Sequence, residues 1–157
     1  MFRNFGNDVK FEPGFIYYGA GTTDCETTGY NTAGFSGIAC ALLIGDVTTG
    51  ATVNLEAEMS TAAGGTYVGI ADSASYFSST QGSSGLWLVT SVYKPMKQYV
   101  KFVADRHTGN TQIMGSIVML YRAGDLPVSA STRTNAGYGA NIQDYTDVVG
   151  SSGSSTG

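Results

Sequence analysis

Charge is the commodity this chain has least of. Asp, Glu, Lys and Arg make up 13% of its 157 residues, against about 25% in an ordinary soluble domain. Eight basic residues against twelve acidic ones leave a net charge of −4. Phosphate contacts need clustered Lys and Arg, so this balance argues against a nucleic-acid partner. Long apolar runs are missing as well. Nothing approaches the ~20 residues of a membrane span, and the opening MFRNFGNDVKF lacks the apolar core of a signal peptide. Synthesis in a cytoplasm, with no membrane partner, is the expectation. The two cysteines, Cys25 and Cys40, have no CxxC spacing. They read as small buried hydrophobes with reduced thiols, and a disulfide between them stays open.

Catalytic signatures are scarce too. His107 is the single histidine, with no further ligand near it in sequence to build a metal site, and it reads as a solvated loop residue. No GxSxG and no Walker-type loop occurs, and no glycine stands between a strand and a helix as a phosphate loop requires. Glu56 and Glu58 would project from one strand face about 7 Å apart, which is what a solvated face looks like. The expectation is a protein that is not an enzyme and takes no cofactor.

What the chain does have is glycine (22 residues), ten tyrosines and a period of two. Ala51, Val53, Leu55, Ala57 and Met59 alternate with Thr52, Asn54, Glu56, Glu58 and Ser60, so the first set faces a core. Val100, Phe102 and Ala104 alternate with Tyr99, Lys101 and Val103 in the same way. Arg106 to Asn110 carries the residues of a hairpin loop. Beyond it Ile113, Gly115, Ile117, Met119 and Tyr121 lie on one face, with Met114, Val118 and Leu120 on the other. A strand apolar on both faces needs cover on both sides, from a second sheet or another subunit. Phe35 to Gly45 reads as a central strand bounded by glycines, and Gly45 to Gly50 as a loop of hairpin character. Lys94-Pro95-Met96 is a corner where the chain bends or changes sheet, because Pro95 cannot donate to a ladder.

With Phe15–Ala20, Asp24–Tyr30, Thr66–Ala71 and Leu86–Lys94, these stretches make seven or eight strands and no helix. The fold class predicted is all-β: a two-sheet antiparallel sandwich, jelly-roll-like, with an extended N-terminal arm and a C-terminal tail. Residues 1–13 form the arm, 14–128 the sandwich and 129–157 a tail rich in Gly, Ser and Thr. Such a tail has too little apolar content to order itself, so it is expected to be held by another chain.

Candidate partner contacts follow from stickiness out of place. In the arm they are Phe2, Phe5 and Phe11, which either reach a neighbouring chain or pin the arm to the domain's own core, and in the Ser- and Gly-rich loop 73–85 they are Tyr76 and Phe77. In the tail they are Tyr138, Ile142 and Tyr145. Half of the basic residues, Lys94, Lys97, Lys101 and Arg106, fall within thirteen positions. Lys94, Lys97 and Lys101 are candidates to dock on an acidic surface, the simpler reading being a solvated strand face whose lysines discourage edge pairing.

Two stretches carry a resemblance. One is GDVTTGATVNLEAEMSTAAGGTYVGIADS, Gly45 to Ser73; the other is VYKPMKQYVKFVADRHTGNTQIMGSIVMLYRAGDLPV, Val92 to Val128. Together they resemble the small virion proteins of tailed bacteriophages that sit beside the major capsid protein as decoration or cement subunits. The resemblance implies a β-sandwich subunit that binds the capsid exterior as a dimer or trimer and staples neighbouring capsomers through repeated weak contacts. A place at the head–tail joint or in the tail is the nearest alternative. Another is a carbohydrate- or receptor-binding sandwich using Trp87, Tyr76 or the tail tyrosines as stacking surfaces.

Overall fold

The computed structural model describes residues 9–79 and 85–121, together with the backbone of a strand at 142–149. Among these residues there is no helix, and the strands form two packed sheets. In the first sheet, β1 (Val9–Pro13) lies beside β11 (Thr111–Tyr121), then β5 (Gly37–Val47), β9 (Leu86–Tyr93) and β12 (Ile142–Val149). β2 (Tyr18–Gly21) also pairs with β11. In the second sheet, β10 (Tyr99–Thr108) and β6 (Thr52–Ser60) are neighbours. β3 (Cys25–Glu26) and β4 (Tyr30–Asn31) flank β10, while β7 (Val68–Gly69) and β8 (Ser75–Ser78) flank β6.

Three of these are interrupted strands. β1 and β2 lie end to end along β11, β3 and β4 along β10, and β7 and β8 along β6. Joined, they leave eight strands before β12. One sheet then runs first, eighth, third, sixth, and the other second, seventh, fourth, fifth, which is the strand order of a jelly roll. Among these eight, only the step from β6 to β7 and β8 stays within a sheet; the other connections cross between sheets.

That topology overturns two expectations. The turn at Gly109–Asn110 is an arch, because β10 and β11 belong to different sheets and β10 itself runs on to Thr108. The loop after Val47 is likewise an arch from β5 to β6. Gly, Asn and Asp serve an arch as readily as a hairpin, so turn chemistry alone cannot separate the two. The arches bond to each other: Thr48 N donates to Asn110 O at 3.0 Å and Asn110 N to Thr48 Oγ1 at 2.9 Å. The corner at Lys94–Met96 does change sheet, with Lys94 at φ 49°.

The inner faces follow the alternation. Val53, Leu55 and Ala57 from β6 are fully buried, as are Val100, Phe102 and Ala104 from β10. They meet Ile38, Cys40, Leu42 and Ile44 from β5 and Leu88 and Val92 from β9. Removing such a side chain from water contributes about 1.5–3 kcal/mol. β5 is central, as its apolar run required. The phase of β11 departs from expectation: Ile113 points inward with Val118 and Leu120, while Ile117 and Met114 are each 48% exposed. The register slips between Ile113 and Gly115, where Gly115 has φ 143°. This bulge exchanges the faces of the strand partway along.

Both chain extremities depart from the expected boundaries. Val9–Pro13, the end of the expected arm, is strand β1 at the sheet edge. Within the expected tail, Ile142–Val149 pairs in parallel with β9. The loop 73–85 contains strand β8, so its Ser-rich composition concealed a piece of sheet.

A candidate docking surface

The two outer faces of the sandwich differ in chemistry. On the second sheet, Glu56, Glu58, Lys101 and Asp105 point outward from β6 and β10, with Glu26 beside them on β3. Lys101 Nζ lies 2.6 Å from Glu26 and 3.1 Å from Glu58, and 5.1 Å from the centre of the Tyr67 ring. His107 Nε2 sits 2.9 Å from an Asp105 carboxylate oxygen. Partial burial pushes the Glu56 carboxyl above its ordinary range, and the nearby charges of Glu58, Asp105 and Asp24 push it further. Burial also raises Asp105, helped by the neighbouring Asp24, to whose carboxylate the protonated Asp105 can donate and whose charge opposes its ionisation. This is a half-solvated network of ion pairs.

The expected basic docking stripe does not survive this geometry. Lys101 is neutralised by two glutamates. Arg106 is buried and faces inward. Its Nε donates to Thr23 O at 2.6 Å and its Nη1 to Gly19 O at 2.9 Å and Thr111 O at 2.8 Å. Arg106 stands on β10 of the second sheet while Gly19 and Thr111 belong to the first and Thr23 to the loop between β2 and β3, so Arg106 is a clasp between the sheets. Lys94 is exposed, its ammonium 5.2 Å from the centre of the Tyr93 ring, and Lys97 is half-buried.

On the outer face of the first sheet the rows across β1, β11, β5 and β9 are apolar or small, with the charged positions at the margins: Asp46, exposed near the end of β5, and Asp147 on β12, in register with Ser91. Register places Phe11, Met119, Ala39 and Ser91 in one row across β1, β11, β5 and β9. Pro13, Ile117, Ala41 and Val89 form the next row, and Gly115, Leu43 and Trp87 another. β5 contributes small residues, Gly37, Ala39 and Ala41, between larger ones on β11 and β9. The result is a shallow trough, closed at one end where Tyr121 Oη meets Ser91 Oγ at 2.8 Å. Phe11 is 51% exposed. This is the sheet whose apolar strands called for cover on both sides; the second sheet supplies one.

Of the other expected contacts, Tyr76 is about half exposed, at the margin of the second sheet. Phe77, its neighbour, is only 5% exposed and belongs to the core, because strand β8 turns alternate residues inward. Phe2, Phe5 and Tyr138 lie outside the described residues. Ile142 and Tyr145 stand opposite Trp87 and Val89 in the β12 register, and their side chains lie outside what is described. Trp87 and Tyr76 are on opposite sheets and cannot form one stacking platform. Ile117, Met119 and Val89, on the outer face of the first sheet, were not among the expected contacts, although the two-sided apolar pattern of β11 was readable.

Both thiols are free and buried. Burial pushes the Cys40 thiol up to about 12 and also raises Cys25, against the lowering pull of Arg106. Neither is an activated nucleophile. Among the described residues no group of His, Cys, Asp and Glu is arranged to hold a metal ion. A cavity of about 300 Å³ opens at the sandwich edge between β1 and β4, lined by Lys10, Glu12, Tyr30 and Leu120 among others. Lys10 and Glu12 form an ion pair there.

No family model matches this chain, and no curated protein does. Among solved structures it is similar to one titled "Crystal Structure of FLHE", at 11% identity over 73% of this chain and 95% of that one, with a TM-score of 0.33. A likeness so slight carries no argument about function.

Proposed function

We propose that this chain is a structural binding subunit that adheres to a protein surface through the outer face of its first sheet. The carrying observation is the contrast between the two outer faces. One carries a network of ion pairs and acidic side chains, the other apolar and small rows across β1, β11, β5 and β9 with Phe11 and Ile117 half exposed. A contiguous apolar face of this kind is what a partner covers. Under the resemblance drawn from Gly45–Ser73 and Val92–Val128, the partner is the major capsid protein on the outside of a phage head, and the role is cementing neighbouring capsomers. Repetition over a symmetric shell lets modest individual contacts add up.

Mixing the purified chain with undecorated heads and sedimenting them tests this. Binding at micromolar concentration that disappears in Ile117→Lys is the expected result. Failure of the unsubstituted chain to co-sediment overturns the capsid reading, and undiminished binding by Ile117→Lys overturns the choice of face.

A further inference from the structure

The trough on the first sheet has a direction as well as a shape. Its floor is Gly37, Ala39 and Ala41 on β5, and its walls are Met119 and Ile117 on β11 and Val89 and Trp87 on β9. The walls stand two strand spacings apart, about 9.5 Å. An α-helix with its side chains is about 10–12 Å across. The two ends differ in charge. Asp46 is exposed near the end of β5 that lies beyond Leu43. At the opposite end Gly37 is in register with Tyr93, and the exposed Lys94 holds its Nζ 5.2 Å from the centre of the Tyr93 ring. Neither Asp46 nor Lys94 joins an ion pair among the described residues. Asp147 belongs to β12, two strands away from the floor. The trough thus has an anion at one end and a cation at the other, about 30 Å apart along the strand direction.

We infer that the trough takes an amphipathic α-helix of a partner protein, lying along β5 with its N-terminus at Asp46 and its C-terminus at Lys94. A helix carries a positive pole at its N-terminus and a negative pole at its C-terminus, whereas a strand has little net dipole to offer. About 20 residues of helix span that length. An apolar stripe at i, i+3, i+4 and i+7 sets large side chains over the small floor residues. A second copy laid face to face would match the two charges as well. One trough against another, however, leaves both floors facing a gap and forfeits their contacts. The inference rests on the reading that this outer face is the adhesive one, and adds what the partner presents there.

Trp87 is the single tryptophan of the chain and pairs with Leu43 near the Asp46 end, so its fluorescence reports both occupancy and direction. The probe is a tryptophan-free peptide of about 20 residues, acetylated and amidated, with leucines on one helical face and glutamine and serine on the other. It carries a nitroxide at its N-terminal residue or, in a second preparation, at its C-terminal residue. Saturable binding at micromolar concentration is expected, with the N-terminal label quenching Trp87 more strongly than the C-terminal one. Ala41→Leu fills the floor and should weaken binding about tenfold, and Asp46→Lys/Lys94→Glu should abolish or reverse the preference between labels; melting curves confirm that both variants fold. Absence of saturable binding, no preference between labels, or undiminished binding by Ala41→Leu overturns the inference. Tighter binding by a peptide of the same composition in period-two alternation overturns it in favour of a strand. A dimer in light scattering that Ile117→Lys dissolves overturns it in favour of a second copy. Sedimentation with heads judges the capsid reading separately: peptide binding without head binding keeps the helix and discards the capsid, and head binding without peptide binding does the reverse.

Discussion

Arg106 shows how much one residue can organise in a chain with few charges. Its guanidinium reaches carbonyls of Gly19, Thr23 and Thr111, and these are charge-assisted bonds in a buried place. Arg106→Met fills similar volume but leaves three acceptors without their donor, so a loss of about 3–5 kcal/mol is expected. The urea midpoint of unfolding measures it. Glu56 gives the opposite sign. Its carboxyl is raised in the fold, so the folded state favours the protonated form and the ionised form costs stability. That cost is absent below the ordinary value of 4.5, grows as pH climbs from there through the raised folded value, and is complete above it. Glu56→Gln should therefore melt higher than the parent at neutral pH by about 1–2 °C, a surface-sized effect under solvent screening. The gain should vanish at a pH below 4.5; thermal melts at the two pH values decide it. At this scale the sequence was half legible. Period two placed Phe102 and Glu56 on their correct faces, but Arg106 looked like a loop cation, since nothing local announces which carbonyls will converge on it.

At the level of strands and turns, the arch between β10 and β11 depends on Gly109. It has φ 70°, and a Cβ there would come within 2.9 Å of the Ala51 backbone and 2.8 Å of Thr48 Oγ1. Gly34 has a similar φ of 85° with open space around it. Both positions carry the conformational penalty of an L-residue in left-handed space, about 1–2 kcal/mol. Gly109→Ala should cost clearly more than Gly34→Ala, because the second arch has to move. Paired denaturation curves test this ordering, and equal losses would show that the two arches yield freely. The long strands β5, β6, β9, β10 and β11 were all readable from their apolar patterning. Among the short ones, β2, β3 and β7 overlap the expected strands Phe15–Ala20, Asp24–Tyr30 and Thr66–Ala71, but two were missed: β8 hides in a Ser-rich stretch, and β1 was taken for an arm. These strands owe their conformation to the neighbours that β6 and β11 provide, and pairing with a distant partner leaves little local trace.

For the molecule as a whole, the asymmetry between outer faces is what a partner would sense. Ile117→Lys places a charge on the apolar sheet at a half-exposed position. Stability should change by no more than about 0.5 kcal/mol, while adhesion to the partner surface should fall at least tenfold. Denaturation and binding isotherms on the same preparation separate the two effects. The jelly roll was anticipated from strand count and spacing, yet the turns taken for hairpins are arches, because a polar turn does not say which sheet receives the next strand.

Pairing of β1 with β11 brings Val9 against Tyr121, and this has a consequence for biogenesis. While the ribosome is still making the middle of the chain, the first strand has no neighbour to zip onto, and neither does β5 on that side. Apolar ribbons must wait, unshielded, until Thr111–Tyr121 has emerged, about a hundred residues after β1, and closure then comes late and slowly. Expression at low temperature, or with holding chaperones in excess, should therefore raise the soluble yield more than it would for a protein assembled from successive local hairpins.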